Sequence, residues 1–168
     1  MKRVSLLFLV FSLALTSFAQ RNPIDVMFDK YSGTEGITTV FISSKMFSMM
    51  AGVELDDDEM EDVIRKLKTI RILTVEDDEL NEKLNFFSEL EKDLDFGGYE
   101  ELMVVKESGK DLKFMVKEKG KRIEELLMIG GGPGQNVLIS IKGDLDMQNI
   151  SSISKTMGIK ELQNQVNY

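Results

Sequence analysis

Between Tyr99 and Gly143 the apolar positions fall into four short runs separated by glycine turns. Leu102–Lys106, Leu112–Lys117, Ile123–Ile129 and Val137–Ile141 each suit a β-strand. In the second, Leu112, Phe114 and Val116 alternate with Lys113, Met115 and Lys117, which is the two-residue period of a half-buried strand. The fourth is apolar on both faces apart from Ser140, so it belongs in the middle of a sheet. Ser108-Gly109 and Lys119-Gly120 place a glycine where a tight hairpin needs positive φ. Gly130 to Gly134 reads as a longer, mobile hairpin tip. Short links join antiparallel neighbours, so the block predicts a meander.

The preceding part alternates helical and strand periods. Asn22-Pro23 opens a helix with Ile24, Met27, Phe28 and Tyr31 on one face, and Gly33 ends it. Ile37 to Ile42 is β-branched and suits a strand. Ser43 or Ser44 caps a short helix holding Met46, Phe47, Met49 and Met50, ended by Gly52. Asp56 to Leu67 predicts a third helix and Ile70 to Val75 a strand. Leu80, Leu84, Phe87, Leu90 and Leu94 form the clearest helical stripe, over Leu80 to Leu94. After the meander, Asp146 caps a helix through Ile150, Ile153 and Met157, and Gly158 stops it. The expected fold is a two-layer α+β domain, with one mixed or mostly antiparallel sheet of about six strands and helices packed on it.

The N-terminus has a different pattern. Met1-Lys2-Arg3 precedes an apolar run from Val4 to Leu15 and then Thr16-Ser17-Phe18-Ala19-Gln20. A basic start, a short apolar stretch and small residues at Ser17 and Ala19 predict a signal peptide over residues 1–19, cleaved after Ala19. The apolar run is short of the roughly 20 residues of a membrane span. The chain is thus expected in the periplasm or secreted, with no membrane insertion after cleavage. It contains no Cys, so it has no lipobox cysteine and no disulfide, and is expected not to be a lipoprotein. Residues 20–159 form the expected domain, and the polar 160–168 a tail.

The net charge is −8, and removal of Lys2 and Arg3 makes it more negative. Such a chain repels nucleic acid and anionic lipid. It has no His either, which removes the usual general base near neutral pH, the commonest metal ligand and, with Cys, the thiolate nucleophile. The acidic run Glu54 to Asp62 lacks the glycine of a calcium loop and carries Met60 inside it. It reads instead as the start of a helix whose end is basic at Arg65, Lys66 and Lys68. Asp144-Leu145-Asp146 is only a weak cation signal, and capping of the last helix explains Asp146. Gly130 to Gly134 lacks the lysine and following helix of a phosphate loop. Ser152-Ile153-Ser154-Lys155 fits a Ser-x-x-Lys pattern, but its companion motifs are missing. Ser43 with Lys45 is explained by the cap. No catalytic, cofactor-binding or metal-ligating residue is assigned, and no cofactor is expected.

Phe28 to Val40, Tyr99 to Glu107, Phe114 to Gly120 and Leu138 to Asp144 together resemble the DUF4252 family, a domain of unknown function in secreted proteins of Bacteroidota. The resemblance covers most of the chain after the signal segment. It implies a small exported domain and brings no catalytic residues with it. The expectation is a non-enzymatic envelope protein that binds a protein partner through a sheet edge or the Gly130 to Gly134 tip. The alternative is a periplasmic carrier of a small apolar ligand, with a pocket lined partly by Met46, Phe47 and Met50. A carboxylate-dependent glycan hydrolase is a distant third.

Overall fold

The computed structural model describes residues 21–51 and 58–156. The signal segment, Gly52, residues 54–57 of the acidic run, Met157, Gly158 and the tail 160–168 lie outside the described residues. Helix α1 (Pro23–Tyr31) begins as expected: Asn22 Oδ1 accepts the Ile24 N–H at 2.9 Å and Pro23 takes the first helical position. Strand β1 (Ile37–Ile42), α2 (Ser44–Met50), α3 (Asp58–Lys66) and β2 (Leu67–Val75) follow. Ser43 precedes α2, but its hydroxyl makes no capping bond. Then come α4 (Asp78–Lys83), α5 (Phe86–Leu90), a single 3-10 turn (Phe96–Gly98), β3 (Glu100–Glu107), β4 (Lys110–Lys119), β5 (Arg122–Gly131), β6 (Val137–Leu145) and α6 (Met147–Thr156).

The six strands form one open sheet in the order β1-β2-β6-β5-β4-β3, every neighbouring pair antiparallel. The expected meander is present from β3 to β6. Its turns use Gly109 at φ 84° and Gly120 at φ 67°. Strand β6 is central, held by β2 on one side and β5 on the other.

The α+β class and the six-stranded sheet are as expected, but the helices do not form one layer. They divide between the two faces, because β2, β5 and β6 are apolar on both. On the first face, Leu73, Val75, Met115, Leu127, Ile129 and Leu138 pack against Ile24, Met27, Phe28 and Tyr31 of α1 and Phe86, Phe87 and Leu90 of α5. On the second, Val116, Ile123, Leu126, Ile139, Ile141 and Leu145 pack against Phe47, Val63, Ile64, Ile150 and Ile153 of α2, α3 and α6. Each such side chain contributes about 1.5–3 kcal/mol when fully buried.

The stripe from Leu80 to Leu94 is not one helix. It breaks at Leu84 and Asn85, both extended, into α4 and α5. Asn136, buried in the turn before β6, causes the break. Its Oδ1 accepts the Phe86 N–H at 2.9 Å, and its Nδ2 lies 3.1 Å from Leu84 O and 2.9 Å from Asn81 O. These are groups that a continuous helix would use internally. Asn85 Oδ1 takes the Ser88 N–H at 2.9 Å and starts α5 anew. The apolar stripe still faces the core, with Phe87 and Leu90 buried and Leu80, Leu84 and Leu94 packed at its edge.

The same asparagine corrects the reading of Gly130 to Gly134 as a mobile tip. Gly130 and Gly131 belong to β5, and Gly130 to Gly132 are buried. Asn136 Nδ2 is 3.1 Å from Gly132 O, and the Gly134 N–H donates to Asn81 O at 3.3 Å. A Cβ at Gly131 would overlap the backbone N of Phe87 and Oδ1 of Asn85. Only Pro133 and Gly134 of the five are exposed.

Candidate functional site

The sheet has two edges, and they differ in chemistry. β3 carries Glu100, Glu101, Lys106 and Glu107, charges of the kind that discourage strand addition. β1 carries none. Its sequence Ile-Thr-Thr-Val-Phe-Ile pairs with β2 on one side, and no described strand lies on the other. Val40 is 36% exposed and Phe41 58%. Phe41 is held in place: the Arg71 guanidinium lies 5.3 Å from its ring centroid and 5.7 Å from that of Phe28. Arg71 is in turn ion-paired to Asp25 of α1.

An apolar groove of about 230 Å³ lies beside this edge on the second face. It reaches β1 through Ile42, with Ile70, Ile72, Ile139 and Ile141 as its floor and Met60, Val63 and Ile153 as its walls. Met46, Phe47 and Met50, the residues expected to line a pocket, are absent from it. Met46 and Met49 of α2 point outward, 50% and 64% exposed, and Phe47 is buried in the core.

The first face carries a polar network at the β4–β6 ends opposite Asn136. Glu125, 3% exposed, accepts hydrogen bonds from the Tyr99 hydroxyl at 2.9 Å and from Ser140 Oγ. Lys142 Nζ is 3.9 Å from Glu125 Oε1 and 3.8 Å from Asp25 Oδ1. Burial, together with the neighbouring Glu125 carboxylate, pushes the Tyr99 phenol well above its ordinary pKa. A cleft of about 580 Å³ adjoins Tyr99 and Lys117 and is rimmed by Arg21, Asn22, Asp93 and Asp95. Asp93 and Asp95 stand on one loop, and Asp95 Oδ1 is engaged by the Gly97 N–H at 2.9 Å.

The residues weighed in the sequence fall in separate places. Glu59 and Glu61 sit in the first turn of α3, and Arg65 and Lys66 in its last. Glu61–Arg65 and Asp62–Lys66 are ion pairs one turn apart. Among the described residues no three acidic side chains converge as a metal ion would require. Asp146 caps α6, with its Oδ1 accepting the Asn149 N–H at 3.0 Å while Asn149 Oδ1 accepts the Asp146 N–H at 3.0 Å. Ser152 Oγ donates to Glu59 Oε2 at 3.3 Å. No described helix is long and apolar enough to cross a membrane.

Residues 31–153 match the profile of a family described as a domain of unknown function, DUF4252. The chain belongs to the DUF4252 family. The match begins at the last residue of α1 and ends within α6, so it takes in the whole sheet, both edges and the Tyr99–Glu125–Ser140 network. Asp25 and the Arg21–Asn22 rim of the cleft lie before it. Comparison with curated proteins and with solved structures finds no match.

The polar network was missed in the sequence although a signal for it exists. Glu125 has the same strand parity as Leu127 and Ile129, both fully buried, so an acid had to share their face.

Proposed function

We propose that this DUF4252 domain is an exported, non-enzymatic module of the cell envelope that holds an extended segment of a partner protein along β1. The observation that carries this is the contrast between the two edges: β3 is charged, whereas β1 is uncharged with Val40 and Phe41 outside. An extended segment added there gains main-chain hydrogen bonds to the edge, and its alternate side chains meet Val40 and Ile42 on one face and Phe41 on the other. Export rests on the signal-peptide pattern of residues 1–19 and on the resemblance to secreted Bacteroidota proteins.

A photo-reactive residue at position 40, compared with one at position 104 on β3, tests the reading in cells. Crosslinking of an envelope protein from position 40 alone, abolished by Phe41→Lys, is the expected result. Equal capture from both edges, or capture indifferent to Phe41→Lys, overturns it.

The carrier of a small apolar ligand is the second reading, favoured by the wholly apolar lining of the groove beside Ile42. Its volume falls below the roughly 300 Å³ at which ordinary ligand sites begin. Native mass spectrometry of the exported protein with a bound apolar molecule would favour it. Glycan hydrolysis has less support, since the two acids of the cleft share one loop and one of them is engaged in a turn.

A further inference from the structure

The β1 edge is electrically polar along its length. Glu35 is separated from the strand by Gly36, and Glu76, Asp77 and Asp78 follow Val75, the residue paired with Ile37. Glu76 N and Asp77 N both donate to Gly36 O, at 2.8 and 3.2 Å, which fixes the two acidic turns against each other. All four carboxylates are exposed. The opposite end carries the other sign: exposed Lys45 lies just past Ile42, while Arg71, across from Phe41, is already neutralised by Asp25.

We infer that β1 takes an extended segment running antiparallel to it, apolar on the face it shares with Val40 and Ile42 and ending C-terminally in Lys or Arg. This rests on the strand-addition reading and specifies its partner. Every pair in the sheet is antiparallel, and an antiparallel guest brings its C-terminal end to Ile37. There its basic residues meet Glu35, Glu76, Asp77 and Asp78, while its N-terminal end lies by Lys45. A guest of reversed charge order would place its cations at Lys45 and leave the acidic turns facing no countercharge. The groove beside Ile42 offers the guest's inward residues an apolar neighbour that a wholly polar segment would not use.

The test uses the purified protein and three labelled peptides, followed by fluorescence anisotropy. One peptide alternates Val and Thr and ends in two Lys. The second carries the two Lys at its N-terminus. The third ends in two Glu. The first is expected to bind at least tenfold more tightly than either other, and a Glu35→Gln, Glu76→Gln, Asp78→Asn variant to reduce it to the level of the second. Phe41→Lys is expected to remove binding of all three. Loss with Phe41→Lys but equal affinity for the three peptides overturns the charge order and leaves strand addition standing. Binding that ignores Phe41→Lys overturns strand addition itself. No binding by any peptide, or a β1-dependent dimer that excludes them in sedimentation, overturns the inference.

Discussion

The Tyr99 hydroxyl donates its hydrogen to the buried carboxylate of Glu125 at 2.9 Å, and so ties the entry to β3 onto the middle of the sheet. Glu125 has Ser140 as its other hydroxyl donor and Lys142 as its nearest cation. Tyr99→Phe removes one donor from a carboxylate that water barely reaches. The expected cost is about 1–3 kcal/mol in urea unfolding. A cost within error would mean that water or Lys142 replaces the phenol.

Alkaline titration reads the same contact. Burial followed by the Glu125 charge raises the Tyr99 pKa, and burial followed by the hydrogen bond to Glu89 raises that of Tyr31. A raised pKa in the fold means that the unfolded chain ionises first. The stabilisation is complete below about pH 10, the unfolded tyrosine value, and is lost as pH rises beyond it. Tyr99 should therefore develop phenolate absorbance only together with loss of the sheet signal in circular dichroism, and Tyr31 only above the range of the unfolded residue. Phenolate formation by Tyr99 well before unfolding would contradict its burial.

Asn136 organises the break between α4 and α5, so its removal strands several polar groups at once. Asn136→Leu leaves the Phe86 N–H and the Leu84 carbonyl without their partner and removes one of the two donors to the Asn81 carbonyl. Destabilisation of about 3 kcal/mol or more is expected by urea unfolding. Asn136→Asp keeps the acceptor and should be milder at pH values where it is protonated.

Gly131 and Gly98 form a matched pair. A methyl group at Gly131 meets the backbone of α5, whereas at Gly98 nothing lies within 4 Å. Gly131→Ala should lower stability by about 1–3 kcal/mol through overpacking, and Gly98→Ala should stay within about 0.5 kcal/mol. Thermal unfolding of the two variants side by side is sufficient.

At acid pH the cap of α6 decides. The Asn149 backbone N–H, aided by Lys66 and Arg122, holds the Asp146 carboxyl below its ordinary pKa, and Lys66 with Asn149 does the same for Asp62. A lowered pKa contributes stability above the unfolded value of about 4, lost as pH falls through the folded one. Asp146→Ala should cost about 1 kcal/mol at neutral pH and make the acid limb of the stability profile shallower. An unchanged acid limb would remove Asp146 from this role.

Much of the fold was legible because its signals are local. The strand at Leu112 to Val116, the Asn22-Pro23 start and the Asp146 cap each act within a few residues and appear where expected, but the strand is buried on both faces, with Met115 in the first-face core and not on an open side. The Leu80 to Leu94 stripe was legible as an apolar face but not as two helices. The side chain that divides it is Asn136, about fifty positions away. Placing the helices on both faces required knowing which of two apolar surfaces each would meet, and a periodicity does not carry that. The edge contrast was already visible in the composition of Ile37 to Ile42 against Glu100 to Glu107, but which strands would be outermost was not.

The place of β6 between β2 and β5 has a consequence in time. β2 waits for a neighbour that lies near the other end of the domain, and the meander cannot join the N-terminal hairpin until Val137 to Leu145 has been made. Until then two inner strands present raw edges, with Ile70 and Ile72 on one and Leu126 and Leu127 on the other. Closure over so long a stretch of chain is slow. The interval before β6 docks is when this chain is most open to aggregation, and to a chaperone that shields it.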